Sequence, residues 1–117
     1  MSTDHPIRIE PNPHRLRVQL GGKTVVDTTH ALTLFEATYP GVQYVPRGDA
    51  DMSLLARTEH HTHCPYKGDA SYYSIKADGK VVENAVWTYE KPFPGVEQIA
   101  GYLAFYPNKV EITVDKK

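Results

Sequence analysis

A single cysteine, Cys64, rules out an internal disulfide and a zinc site built from four thiolates. Long apolar runs are missing too. Nothing approaches the roughly 20 residues that a membrane-spanning helix needs, so no membrane partner is expected. The opening residues Met1-Ser2-Thr3-Asp4-His5-Pro6 lack a basic stretch followed by an apolar core, so no secretory leader is expected. With the free thiol, this points to the cytoplasm. Positive charge is present but never concentrated: 13 lysines and arginines are scattered among 14 acidic residues, for a net charge of -1. Binding to a phosphate backbone depends on clustered positive charge, so nucleic acid is not expected as a partner. Nor is there a glycine-rich loop leading into a helix, the usual phosphate cradle.

The chain is instead well supplied with turn and aromatic residues: eight tyrosines, nine prolines and eight glycines. Aromatics fit pleated surfaces, and proline and glycine punctuate turns. A length of 117 residues holds one core comfortably and two poorly. The expectation is a compact antiparallel all-β domain of many short strands with one or two short helical turns. Residues 1–12 form an extended N-terminal arm on this reading, and 13–117 a single β domain.

In chain order, the arm is stiffened by Pro6 and Pro11, with Pro13 at its end. Leu16, Val18 and Leu20 then alternate with Arg17 and Gln19, the period of a half-buried strand. Gly21-Gly22 turns it into a second strand at Lys23 to Thr29. Ala31 to Ala37 reads as strand in preference to a short helix, and Val42 to Val45 as another strand. Asp49 or Asp51 caps a brief helical turn from Met52 to Leu55. Strands follow at Ala56 to His63, Ala70 to Ala77 and Lys80 to Tyr89, the last two joined by Asp78-Gly79, a strong hairpin signal. One more helical turn at Val96 to Ala100 precedes a closing hairpin of Tyr102 to Tyr106 with Val110 to Val114.

Chemistry concentrates in Thr62-His63-Cys64-Pro65-Tyr66-Lys67-Gly68. A thiol becomes a nucleophile when a base or a positive charge lowers its pKa, and His61, His63 and Lys67 are close in sequence. The plain alternative is a cysteine packed as a small hydrophobe. His61, His63 and Cys64 are also ligand types for zinc or copper, but no distant cysteine completes a set, and no metal is predicted. Lys67, with Arg57 or Arg47, suits a carboxylate or phosphate, or Lys67 is a solvated turn lysine. Gly68 lets the backbone approach a ligand closely, or serves the turn alone. Tyr72, Trp87 and Tyr89 fall on neighbouring strands and would wall a pocket or fill a core.

Cys64-Pro65-Tyr66-Lys67-Gly68 with Ala70-Ser71-Tyr72-Tyr73, Asn84 to Tyr89, Gly101 to Tyr106 and Tyr44 to Asp49 together resemble the family known as domain of unknown function 427. The resemblance runs from roughly Pro13 to Val114. It implies a β-tent-like domain, similar to methionine sulfoxide reductase B and to the ligand-binding domain of cereblon. This chain lacks the paired Cys-x-x-Cys motifs of those folds and the tryptophan cluster of cereblon, so neither activity is carried over. The family also carries a nucleotidyltransferase-type label. Such chemistry normally needs divalent metal, for which Asp49 and Asp51 are the one close carboxylate pair.

The leading expectation is a small-molecule site around Cys64–Gly68. In it Lys67, Gly68 and Arg57 hold an anionic ligand, Tyr72, Trp87 and Tyr89 supply stacking area, and His63 and Cys64 form the candidate catalytic pair. The alternatives are a cysteine-dependent enzyme, a nucleotidyltransferase and a protein-interaction module. No cofactor can be named from the sequence, and self-association is allowed by it without being predicted.

Overall fold

The computed structural model describes residues 6–115. The start of the expected arm, residues 1–5, and the last two residues lie outside the described residues. The ten strands are β1 (Ile7–Asn12), β2 (Leu16–Leu20), β3 (Lys23–Thr28), β4 (Ala31–Glu36), β5 (Val42–Tyr44), β6 (Leu55–Cys64), β7 (Gly68–Ala77), β8 (Lys80–Thr88), β9 (Leu103–Phe105) and β10 (Glu111–Val114). Every pairing among them is antiparallel, in three sheets ordered β1-β4-β5, β10-β2-β3 and β6-β7-β8-β9. The compact all-β class expected from the sequence is the class found. Short 3-10 turns occupy Arg47–Asp49, Met52–Leu54 and Glu97–Ile99; Asp51 caps the second by accepting a hydrogen bond from the Ser53 amide. No helix among the described residues is long and apolar enough to cross a membrane.

The four-stranded sheet is the middle layer. Strand alternation sends Tyr73, Ile75, Val86, Leu103 and Phe105 to one face, where they meet Leu16, Val18, Leu20, Val25 and Val26 of β2 and β3. Ala70, Tyr72, Tyr89 and Ala104 go to the other face and meet Leu34 and Tyr44 of β4 and β5. A sheet covered on both faces needs nearly every residue buried, and β7 is buried at all positions except Asp69 and Lys76. Each large apolar side chain removed from water there is worth about 1.5–3 kcal/mol.

Local irregularities follow from the side chains. β3 carries one extra residue against β2 between Val18 and Gln19, and that bulge lets Val25 and Val26 both turn inward. The Asp78-Gly79 turn has positive φ at both residues, 54° and 72°, as a two-residue hairpin of matching twist requires. The segment expected as an extended arm is extended from residue 7 and is also paired, residue by residue, with β4. Pro11 is tolerated because β1 is an edge strand.

The expected closing hairpin does not form. β9 pairs with β8, and its other edge is taken by Val45, which exchanges hydrogen bonds of 2.8 and 2.9 Å with Leu103. With both edges occupied, β9 has no room for β10. β10 instead completes the open edge of β2, setting Ile112 opposite Val18 and Val114 opposite Leu16.

Candidate functional site

Between β4–β5 and the middle sheet the two layers do not close completely. They leave a cavity of about 230 Å³, with Tyr44, Tyr72, Trp87, Tyr89 and Tyr106 among its walls and Glu36 and Lys67 at its polar part. Period-two alternation puts Leu34 and Glu36 of β4 on one face, and the same rule sends Tyr72 and Trp87 toward them from β7 and β8.

Lys67 sits in the three-residue turn that joins β6 to β7, with Cys64 paired to Gly68 across it. Its amide donates to the Cys64 carbonyl at 3.3 Å, and its own carbonyl accepts from the Phe93 amide at 2.9 Å. Gly68 has φ 119°, a region that side-chain-bearing residues rarely enter. A Cβ there would rest 3.5 Å from the Lys91 carbonyl oxygen. So held, the Lys67 side chain runs inward, is only 9% exposed, and donates to a Glu36 carboxylate oxygen. Its ammonium also lies 5.9 Å from the centre of the Tyr89 ring.

The aromatic walls are fixed by their own contacts. Trp87 donates its indole N–H to the Tyr44 hydroxyl at 3.1 Å, meets Tyr44 edge-on, and lies 4.6 Å from Tyr106, centroid to centroid. Tyr72 shares a 2.9 Å hydrogen bond with the Thr62 hydroxyl, lies 3.4 Å from the Tyr106 hydroxyl, and carries the His60 ring against its own at 4.5 Å. Burial pushes the phenols of Tyr44 and Tyr89 far above the ordinary tyrosine range. Burial, then the hydrogen bond with Tyr72, pushes Tyr106 up to about 12. The Tyr89 hydroxyl has no hydrogen-bond partner among the described residues.

Of the residues singled out from the sequence, the structure brings Lys67, Tyr72, Trp87 and Tyr89 together around the cavity. Gly68 shapes the turn that aims Lys67. Arg57 is elsewhere: Ser71 and Tyr73 point to the opposite face from Tyr72, and Arg57 lies with them. It binds both oxygens of Glu90 at 2.6 and 3.0 Å and reaches the Ser71 hydroxyl at 3.1 Å. His63 and Cys64 are successive residues on one strand, so they diverge. His63 shares a 2.6 Å contact with the Asp69 carboxylate and meets Phe93 edge-on, while half-buried Cys64 packs against the apolar cluster around Tyr72 and Tyr89. Among the described residues no three His, Cys, Asp or Glu side chains converge as a metal would require. Asp49 accepts from the Thr28 hydroxyl at 2.7 Å, and Asp51 serves as the cap described above.

Glu36, Tyr44 and Tyr106 were not singled out. Tyr44 and Tyr106 stand inside the short motifs quoted above, but β5 and β9 reach the cavity only through tertiary packing.

The motifs that recur in these walls belong to a sequence pattern that matches residues 8–116, nearly the whole chain. The chain belongs to the family described as domain of unknown function 427. No curated protein matches it significantly. In this DUF427 domain the Cys-Pro-Tyr-Lys-Gly motif has a physical reading: it is the turn that buries a lysine and aims it at Glu36.

Proposed function

We propose that this domain binds a small planar organic acid. Its ring would lie among the tyrosines and Trp87, and its carboxylate, or an equivalent acceptor, would meet Lys67. The observation that carries the reading is the buried Lys67–Glu36 pair beside an aromatic-walled cavity. A buried ion pair is seldom worth more to folding than apolar residues of the same size, so retaining one next to a cavity fits ligand capture. An ammonium has three donors, of which the described contact with Glu36 uses one. The open Tyr89 hydroxyl adds a further donor.

Glu36 gives the pair a second role. It balances Lys67 when no ligand is bound, and it also repels an incoming anion. Glu36→Gln is therefore expected to tighten carboxylate binding about tenfold. Trp87 is the only tryptophan in the sequence and lines the cavity, so its fluorescence reports occupancy directly. Titration with benzoate and para-hydroxybenzoate should shift that emission, and the pair replacement Lys67→Met with Glu36→Leu should abolish the shift in a folded protein. Equal binding by the replaced pair, or no response to any aromatic carboxylate, would sink the proposal. A cysteine-based reaction has less support, because His63 is turned to Asp69 and away from the apolar cluster that receives Cys64.

A further inference from the structure

Trp87 has a second side. There a separate cavity of about 220 Å³ is walled by Val42, Gln43, Trp87, Phe105, Pro107 and Ile112. β5 and β9 are bridged only at Val45 and Leu103, and residues 42–43 and 105–107 stand beyond that bridge. β10 contributes Ile112 because it pairs with β2 and not with β9.

The side chains around this space offer little hydrogen bonding, and the Gln43 amide nitrogen is the one polar side-chain group among them with donors to spare. The Trp87 indole N–H is committed to Tyr44. The Gln43 carbonyl oxygen accepts from both Asn12 and Thr33 at 3.0 Å. No charged residue lines the cavity. A polar occupant would regain few of the hydrogen bonds it gives up in water, so the space suits hydrocarbon. Trp87 and Val42 line both this cavity and the Lys67–Glu36 pocket, so one molecule passing them would occupy both.

We infer that the ligand is amphiphilic: a planar acid head in the Lys67–Glu36 pocket and a short hydrocarbon tail that passes Trp87 and Val42 into the second cavity. The inference rests on the first cavity being the ligand pocket, and it adds the class of molecule that the pocket takes. The head supplies orientation through Lys67, and the tail supplies affinity through apolar burial. Each methylene moved from water into the second cavity strengthens binding by roughly fourfold.

The test uses the complete chain and Trp87 fluorescence, with benzoate, para-ethylbenzoate and para-butylbenzoate as probes. Affinity should rise along the series, reaching about 250-fold for the butyl compound over benzoate. Ile112→Phe, which fills the second cavity, should leave benzoate binding unchanged and remove most of the gain from the tail. Should that variant fold poorly, Ile112→Ala tests the same point: benzoate is again unaffected, and the preferred tail becomes longer, with para-hexylbenzoate overtaking para-butylbenzoate. Benzoate binding with no gain from any tail would overturn the inference and leave the pocket standing. A gain that is the same in wild type and in the folded Ile112 variants would overturn it as well, placing the tail outside the second cavity. No binding by any member of the series would remove the pocket reading and this inference with it.

Discussion

Lys67 and Glu36 are each mostly buried, with side chains 9% and 19% exposed, so the Lys67 ammonium depends on the Glu36 carboxylate. Removing Glu36 leaves the Lys67 ammonium without the carboxylate it meets, in a medium that solvates it poorly. Glu36→Leu should lower unfolding free energy by about 3 kcal/mol or more. Lys67→Met combined with Glu36→Leu should recover most of that loss, and urea denaturation of the three proteins measures both. Recovery would separate the proposed role of the pair in binding from any role in holding the fold. Lys67 was legible in the sequence as a lysine in an unusual turn. Its partner was not, because nothing local connects residue 36 to residue 67.

The tyrosines make a second point at this scale. Tyr106 titrates at about 12 in the folded protein against an ordinary value of 10.0, and Tyr44 and Tyr89 lie higher still. Below pH 10 both folded and unfolded chains keep these protons, and the stabilisation is complete. Between pH 10 and 12 the unfolded chain releases them and the folded chain does not, so stability falls as pH rises. Absorbance titration of tyrosinate should show a group of normal tyrosines ionising first. A later step should follow, coincident with loss of circular dichroism above pH 11 or so.

Among the elements, β6 and β8 deviate together. Between Arg57 and His61, three residues of β6 face one of β7; between Val82 and Val86, three of β8 face one. Asn84, in the β8 deviation, takes φ 51°, and its side-chain oxygen accepts a 2.7 Å hydrogen bond from Thr58 in the β6 deviation. Its amide donates to the Ser74 hydroxyl of the strand between them. Asparagine is among the few residues that enter the left-handed region readily. Asn84→Ala should cost about 1–3 kcal/mol, and Asn84→Gly less, since glycine keeps the backbone conformation and loses only the side-chain contact. Chemical denaturation of both variants measures the difference. The alternation of β2 and the Asp78-Gly79 turn were legible because their signals are local. The paired deviations were not, since each is defined by the strand beside it. The closing hairpin was misread for a related reason: a turn between two strands does not say whether the edge of the first is already taken.

At the scale of the molecule, an antiparallel all-β domain was legible as a class from composition and turn spacing, whereas its division into three sheets and their order in layers were not. One strand, β6, keeps an outer edge in the middle sheet. An unpaired strand edge is a template on which a second copy can add itself, and repeated addition makes a fibre. The break in register between Arg57 and His61 interrupts that template, leaving two short stretches where a continuous ten-residue strand would be an open invitation. Deleting Glu59 and His60 would restore the register without changing which side chains face inward. The shortened protein should fold and then form thioflavin-binding aggregates at concentrations where the parent stays dispersed. Light scattering and thioflavin fluorescence would record the difference.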